Sequence, residues 1–197
     1  MTADDARQEA LAKAASAGAS ELALLAAHED ADVRAAVASN PRVPPDAIDE
    51  LAFDDDWRVR AAAAANPATS AYSLSELTRD EDVRVRERVA RSSGLSADDV
   101  RRALDDEDWR VRAAAGANVA APETGLDNAA GDSHWQVRAA VAANPVCSIV
   151  LLRMLATDED WRVRAAVAGN ESSPADVLAA LVLDGDAGVR AAASRPS

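Results

Sequence analysis

The fold is decided by one stretch, DDDWRVRAAAAANP at residues 54–67, whose pattern returns along the chain. Its Val-Arg dipeptide recurs seven times at a constant interval of 26 residues, and the arginines are Arg34, Arg60, Arg86, Arg112, Arg138, Arg164 and Arg190. A fixed period of this length is typical of solenoid proteins, in which each unit buries its apolar face against its neighbours. The sequence therefore predicts a repeat array.

The second half of each unit has the pattern of an amphipathic helix. An aspartate stands four residues before the arginine, as an N-cap, in every unit but the fifth, which has His134: Asp30, Asp56, Asp82, Asp108, Asp160 and Asp186. Val59, Ala62, Ala63 and Asn66 follow at i, i+3, i+4 and i+7, and this spacing predicts a buried face. The asparagine and the proline after it are expected to end the helix.

The first half of each unit carries two leucines or similar residues three positions apart, which predicts a second, shorter helix. These pairs are Leu22 and Leu25, Ile48 and Leu51, Leu74 and Leu77, Leu152 and Leu155, and Leu178 and Leu181. The pattern is weaker in the fourth and fifth units, with Val100 and Ala103 and then Leu126 and Ala129. The expected fold is thus an all-α solenoid of about seven 26-residue, two-helix repeats.

The period sets the expected domains. Residues 1–20 are predicted to form an N-terminal helical cap with a helix from Asp5 to Ala15, and residues 21–197 a single continuous repeat domain. The chain shows no obvious polar cap where it reaches Ser197. We therefore expect the last unit to fray or to dock on a partner, including a second copy of the chain.

Charge and composition limit the partners. The chain carries 34 acidic and 21 basic residues, for a net charge of -13, which disfavours nucleic acid and anionic membranes and favours a protein or peptide partner, a basic one above all. No stretch approaches the roughly 20 apolar residues of a membrane span, and acidic residues stand where a signal peptide is basic. We expect a cytoplasmic protein.

The residues that could support catalysis are few. His28 and His134 are the only histidines and Cys147 is the only cysteine. No metal-ligand spacing, glycine-rich phosphate loop or nucleophile motif accompanies them. A Cys147 nucleophile would need a base within hydrogen-bond reach, and His134 lies in a different part of the neighbouring unit. The sequence predicts no enzyme, no catalytic residue, no metal and no cofactor.

The repeated unit, D-x-D-W-R-V-R-A-A-V-A-x-N-P followed by L-x-x-L-A, resembles the leucine-rich repeat variant family over residues from about 20 to 197. The resemblance implies a right-handed superhelix in which α-helices alternate with short or 3-10 helices, and a role in protein association. HEAT-type repeats share the D-x-x-x-V-R core but usually have longer units. Some members of the variant family bind an iron–sulfur cluster through N-terminal cysteines, which this sequence lacks before Cys147.

The candidate binding surface follows from the tryptophans. All four occupy the position three before the repeat arginine, and three are followed by another arginine, which gives Trp57, Arg58, Trp109, Arg110, Trp135, Trp161 and Arg162. Tryptophan and arginine are enriched in binding hot spots. The alternative is structural, with each indole lying over an arginine stem or the previous unit.

Two other series recur too regularly to mark a site. The pairs Asp56 with Arg60 and Asp160 with Arg164 stand at i, i+4 and could stabilise one helix or bridge adjacent units. The asparagine amides are expected to bond backbone groups of their own turn or of the neighbouring one. Both roles are structural.

The predicted function is therefore a non-catalytic scaffold for protein interaction. Two alternatives remain open on the sequence. One is a HEAT-like helical-repeat enzyme or nucleic-acid-related protein, and the other is an acidic mimic of nucleic acid.

Overall fold

The computed structural model describes residues 3–194, and these residues form fifteen α-helices and no β-strand. The all-α helical-repeat fold that the 26-residue period predicts is confirmed. Contacts within the chain divide it into two compact units, with the division between Asp99 and Val100. The two units are described separately.

Longer and shorter helices alternate along the chain. The first unit contains α1 Ala3–Ser16, α2 Ala19–Leu25, α3 Ala31–Ala38, α4 Pro45–Leu51, α5 Trp57–Ala65, α6 Ala71–Leu77 and α7 Val83–Ala90. The division falls inside α8, Ala97–Leu104. The second unit continues with α9 Trp109–Gly116, α10 Glu123–Ala129, α11 Trp135–Ala143, α12 Ile149–Leu155, α13 Trp161–Gly169, α14 Ala175–Leu181 and α15 Ala187–Ala193.

The odd-numbered helices from α3 onward begin as the sequence predicts. The Asp56 carboxylate accepts the amide hydrogen of Arg58, with an N–O distance of 2.8 Å, at the N-terminus of α5. The same cap is formed by Asp30, Asp82, Asp108, Asp160 and Asp186. His134 holds this position before α11, and its side chain makes no cap hydrogen bond there. Each aspartate satisfies an amide that the first helical turn leaves without a partner.

These capped helices pack side by side within each unit. In the first unit α1 contacts α3, α3 contacts α5, and α5 contacts α7; in the second unit α9, α11, α13 and α15 follow the same order. Alanine lets the helix axes approach closely. One detail of the predicted buried face is wrong: Val59 and Ala63 are fully buried, but Ala64 is buried in place of Ala62. Ala62 is left on the outer side of α5.

The shorter helices supply the larger apolar side chains. Ile48, Leu74, Leu126 and Leu152 are almost completely buried, and Leu25 and Leu178 are partly exposed. These helices are short α-helices of seven or eight residues. Hydrogen bonds from residue i to i−3, as in a 3-10 helix, follow their last turn, as from the Phe53 amide to the Glu50 carbonyl.

Buried asparagines join successive capped helices. In the first unit the Asn66 amide nitrogen donates to the carbonyls of Ala38 at 2.7 Å and Asn40 at 3.0 Å, both one repeat earlier. Its Oδ1 accepts the backbone amide of Ala68 at 2.9 Å. In the second unit Asn144 and Asn170 make the same contacts with the preceding repeat. The expectation that these amides satisfy turn backbone is confirmed.

Helix α1 takes the place of a capped helix at the start of the first unit. It runs from Ala3 to Ser16, slightly longer than the predicted Asp5–Ala15 helix, and packs on α3. Its Arg7 contacts the carboxylates of Asp30 and Asp32. The division into a cap (1–20) and an array (21–197) stays a prediction. The expected uncapped end at Ser197 lies outside the described residues.

Within the described part of the chain, every helix is too short or too polar to cross a lipid bilayer.

The asparagine contacts predict that Asn66→Ala lowers the free energy of unfolding by about 2–3 kcal/mol, because the substitution leaves two buried carbonyls without their donor. Urea denaturation followed by circular dichroism measures this change. Asn128→Ala is the matched control, because Asn128 is an exposed asparagine on α10. We expect the control to change the free energy by less than about 0.5 kcal/mol. Equal effects of the two substitutions would contradict the bridging role of Asn66.

Candidate functional site

The first tryptophan lies under an arginine of the following repeat. Trp57 is the first residue of α5, and the guanidinium carbon of Arg84 lies 3.4 Å above the centre of its ring. Arg84 is held in this position by Asp82, with an Nη2–Oδ2 distance of 2.6 Å. The indole is half-buried. A cation over the face of an indole is electrostatically favourable.

Arg58, the neighbour of Trp57, is tied to two carboxylates. Its Nη1 lies 2.7 Å from Asp32 Oδ1 in the preceding repeat, and its Nη2 lies 2.7 Å from Asp56 Oδ2. These contacts raise the pKa of the Arg58 guanidinium. Arg58 is exposed on the same outer face as Ala62. Its charge is thus already matched within the first unit.

The second unit repeats the arrangement at Trp135. The guanidinium of Arg162, one repeat later, lies 4.7 Å from the centre of the Trp135 ring. The same guanidinium lies 4.9 Å from the ring of its own neighbour, Trp161. Arg162 is therefore placed between two indoles.

Trp109 is covered differently, because Gln136 replaces the arginine of the following repeat. Its ring stacks on the His134 imidazole with the ring centres 5.9 Å apart and the planes at 12°. Its own neighbour Arg110 lies 5.3 Å from the ring centre. The histidine that fails to cap α11 thus contacts a tryptophan.

Trp161 is the most open of the four, with 41% of its surface exposed. The following repeat has Gly188 at the position that holds Arg84 above Trp57 and Arg162 above Trp135. A Cβ atom on Gly188 would lie 3.3 Å from Trp161 Cζ3. The glycine thus lets the indole lie against the backbone and leaves its outer side uncovered.

The predicted surface residues therefore all lie at the first turns of capped helices. Within each unit, an indole contacts the arginine one repeat and one residue later, where there is one. Sequence analysis missed Arg84, because its repeat has Val83 where the others have tryptophan. The signal was available in the spacing, since Arg84 stands 27 residues after Trp57, and 27 also separates Trp135 from Arg162. Whether this surface binds a partner stays a prediction.

The repeat arginines form a ladder of ion pairs between repeats. Each binds an aspartate 20 residues later through Nε, at 2.6–2.7 Å, and in the first unit these pairs are Arg34 with Asp54 and Arg60 with Asp80. In the second unit they are Arg112 with Asp132, Arg138 with Asp158 and Arg164 with Asp184. The carboxylates of these pairs are at most 10% exposed. Such half-buried bidentate pairs fix geometry as well as charge.

The i, i+4 alternative, Asp56 with Arg60 and Asp160 with Arg164, is wrong. Arg60 Nη1 donates to the carbonyls of Asp54 at 2.8 Å and Asp55 at 3.0 Å, which aims the rest of the guanidinium at the next repeat. The Asp56 carboxylate is engaged by the Arg58 amide and side chain. The other alternative, a ladder between units, is confirmed, but with the aspartate two residues before the cap.

These contacts lower the pKa of several carboxyl groups. Burial alone would raise the pKa of Asp54, but hydrogen bonds from Arg34 and the Asp56 amide lower it below its ordinary value. The pKa values of Asp132 and Asp158 are lowered in the same way. The side chain and amide of Arg58 lower the pKa of Asp56 to about 2, and Arg84 lowers that of Asp82 to about 2.

The residues that could support catalysis are engaged elsewhere. Cys147 is buried, its Sγ contacts the Ser148 carbonyl at 3.8 Å, and burial raises its pKa to about 11. A thiol with this pKa is a weak nucleophile at neutral pH. The His134 Nδ1 lies near the side chains of Ser133 and Asp132. Among residues 3–194, the histidine, cysteine and carboxylate side chains form no group of three that could hold a metal ion.

Comparison with known proteins agrees with this architecture. The model of the leucine rich repeat variant family matches residues 31–56. A solved structure described as a leucine-rich repeat variant with a novel repetitive protein structural motif is 28% identical, with a TM-score of 0.62, over 90% of this chain and 71% of that chain. The crystal structure of Escherichia coli YibA is similar in fold alone, at 14% identity and a TM-score of 0.58, over 94% of this chain and 80% of that chain. None of the curated proteins matches the chain.

The lowered pKa values predict loss of stability in acid. The unfolded carboxyls titrate near pH 3.9, above their folded pKa values, so the unfolded state takes up protons first as pH falls. We expect the free energy of unfolding to be constant from about pH 7 to 5 and to fall between about pH 4 and 2. Denaturation curves at a series of pH values measure it.

Asp54→Asn tests the origin of this acid effect. It should lower stability at neutral pH and flatten the fall in acid, because one half-buried carboxylate no longer titrates. Asp55→Asn is the control, since Asp55 is its exposed neighbour. A fall in acid that is equally steep in the wild type and both variants would contradict a contribution from the ladder.

The coverage of the indoles predicts their accessibility to a neutral quencher. Trp161→Phe should remove a larger share of the acrylamide-quenchable fluorescence than Trp57→Phe or Trp135→Phe, because arginines cover the last two rings. Quenching curves of the folded variants provide the measurement. An equal loss in all three variants would show that the arginines do not shield the rings.

Proposed function

Because this chain belongs to the leucine-rich repeat variant family, we propose that it is a non-catalytic scaffold that binds another protein or a peptide. A stack of repeats offers an extended surface, and its partner is selected by the residues displayed there. In this chain the displayed residues are the tryptophans and arginines at the first turns of the capped helices: Trp57, Arg58, Trp109, Arg110, Trp135, Trp161 and Arg162.

The observation that carries the proposal is the exposed pair of Trp161 and Arg162 in the second unit. Trp161 is 41% exposed although the chain has few aromatic residues, and the Arg162 guanidinium lies 4.9 Å from its ring. A rigid indole beside a guanidinium presents a large contact area at a small entropy cost. Such pairs dominate binding energy when a partner excludes water from them.

A catalytic function has less support. The Cys147 thiol is buried and protonated at neutral pH. His134 is stacked on Trp109 and bonded to its neighbours. These residues contribute to the core and to the tryptophan surface, respectively.

Mimicry of nucleic acid also has less support than protein binding. The mimic would need a continuous row of unpaired carboxylates. In the first unit, Asp54 is bound by Arg34, Asp56 by Arg58 and Asp82 by Arg84. These ion pairs weaken the negative potential at the edge where the acidic clusters lie.

The proposal is tested with the variant W161A/R162A. Proteins captured from the cells of origin by the immobilised wild-type chain are identified, purified and titrated against both forms. We expect the dissociation constant of the partner to rise by at least about 30-fold, as for loss of a hot spot. Circular dichroism verifies that the variant is folded.

The matched control is Y72A/R79A, which removes an exposed aromatic residue and an exposed arginine elsewhere on the first unit. The control should retain the partner with unchanged affinity. Equal binding by the wild type and W161A/R162A would reject this surface. Turnover of a small substrate, or capture of nucleic acid alone, would reject the scaffold function.

A further inference from the structure

The two edges of the first unit differ in charge. Three hollows of about 410, 390 and 400 Å³ follow one another along the edge where α1, α3, α5 and α7 end. Arg42 lines the first, Arg58 and Arg88 the second, and Arg88 and Arg91 the third. Among the described residues that line them there is no aspartate or glutamate.

The edge where these helices begin has the opposite character. One hollow there is lined by Asp55, Asp56, Glu81 and Asp82, and another by Asp4, Glu29 and Asp30. The negative charge of the first unit is thus gathered at one edge, and the other edge is locally basic in a chain with a net charge of -13. Local charge, rather than the net charge, governs contacts within about 8 Å at physiological salt.

Two of the arginines at the basic edge depart from the repeat. Arg88 occupies the position of Ala36 and Ala62, and Arg91 that of Ser39 and Ala65. Stacking of the helices does not require a charge at these positions, because the other repeats manage without one. A residue that leaves the repeat pattern in one unit is a better candidate for a ligand contact than one that recurs in all.

Arg88 also differs from the other arginines in its contacts. The repeat arginines bind aspartates, and Arg91 binds Glu87 at 2.9 Å. The exposed Arg88 guanidinium forms no hydrogen bond or ion pair with another residue in the range 3–194. It lies between the second and third hollows, since it lines both. Its position in the last turn of α7 is also favourable with the helix dipole, but that effect leaves its donors free.

We propose that this basic edge of the first unit binds an extended acidic peptide segment of a partner protein, with Arg88 donating to a carboxylate of that segment. The inference rests on the proposed scaffold function and specifies one partner chemistry. It corrects the expectation from net charge that a basic partner is favoured, which applies to the opposite edge.

The shape of the basic edge fits a peptide. Its floor is made of small side chains, with Ala62 and Ala65 between the turns at Pro41 and Pro67, so a peptide backbone can approach closely. The three hollows lie in successive repeats and span roughly two helix spacings, about 18–20 Å. A strand of about six residues covers this length. Its carboxylates would meet guanidiniums at intervals, whereas a nucleic acid would need a longer row of basic groups.

The test uses a fluorescein-labelled peptide of about eight residues that alternates glutamate and alanine. A second peptide carries lysine in place of glutamate. Fluorescence anisotropy at about 150 mM salt measures the binding of each to the full chain. We expect the glutamate peptide to bind at least about tenfold more tightly than the lysine peptide.

Arg88→Ala is the decisive variant, because it installs the residue that the neighbouring repeats already have and should fold normally. We expect it to weaken binding of the glutamate peptide by at least about fivefold. Arg79→Ala removes the same charge from an exposed site elsewhere in the first unit and should change affinity by less than about twofold. Arg88→Glu should abolish binding.

Three results would overturn the proposal: no binding of the glutamate peptide by the wild type, equal binding of the lysine peptide, or unchanged binding by Arg88→Ala. Tighter binding of a single-stranded oligonucleotide that Arg88→Ala also weakens would assign the edge to nucleic acid instead. Partners captured through Trp161 and Arg162 in the second unit would still support the scaffold function, so the two proposals fail separately.

Discussion

The structure depends on hydrogen bonds from each buried asparagine to the repeat before it. A helix end leaves carbonyl groups without partners, and in the interior of a stack water cannot supply the missing donors. Asn66 bonds the carbonyls of Ala38 and Asn40 and also accepts the amide of Ala68, so one side chain satisfies three backbone groups from two repeats. The asparagine must therefore arrive at a fixed height on the helix stack. This requirement explains a period of 26 residues without slippage.

The opposite ends of the same helices are held by charge. Arg60 joins carbonyls of its own repeat to Asp80 of the next one, while Asp56 caps the helix. Each capped helix is thus anchored to its neighbours at both ends. The outer face between these anchors has little structural work, as the exposed Ala62 shows. Sequence changes on this face alter what the surface presents without disturbing the stack.

The sequence predicted the elements that depend on local chemistry. The aspartate caps, the asparagine ends and the two helices per unit all follow from spacing within one repeat. Contacts between repeats were harder to predict, because in a periodic chain every i, i+4 pair has an equivalent pair between neighbouring units. Asp56 and Asp80 are both at plausible spacings from Arg60, and only the carbonyls of Asp54 and Asp55 decide which way the guanidinium turns. The covering of Trp57 by Arg84 was hidden for the same reason.

Function in such a chain is best sought where the repeat is broken. Each repeat position has nearly the same environment, so the residue that recurs there reports what stacking requires. Arg88 in place of alanine and Ser92 in place of asparagine both occur in the third repeat, next to one hollow. A serine hydroxyl is shorter than the asparagine amide and carries one donor instead of two, so the exchange weakens a bridge that the neighbouring repeats keep. Natural proteins tend to violate their own local rules at functional sites. A weakened bridge beside an unpaired guanidinium therefore places selection at this edge on binding more than on stability.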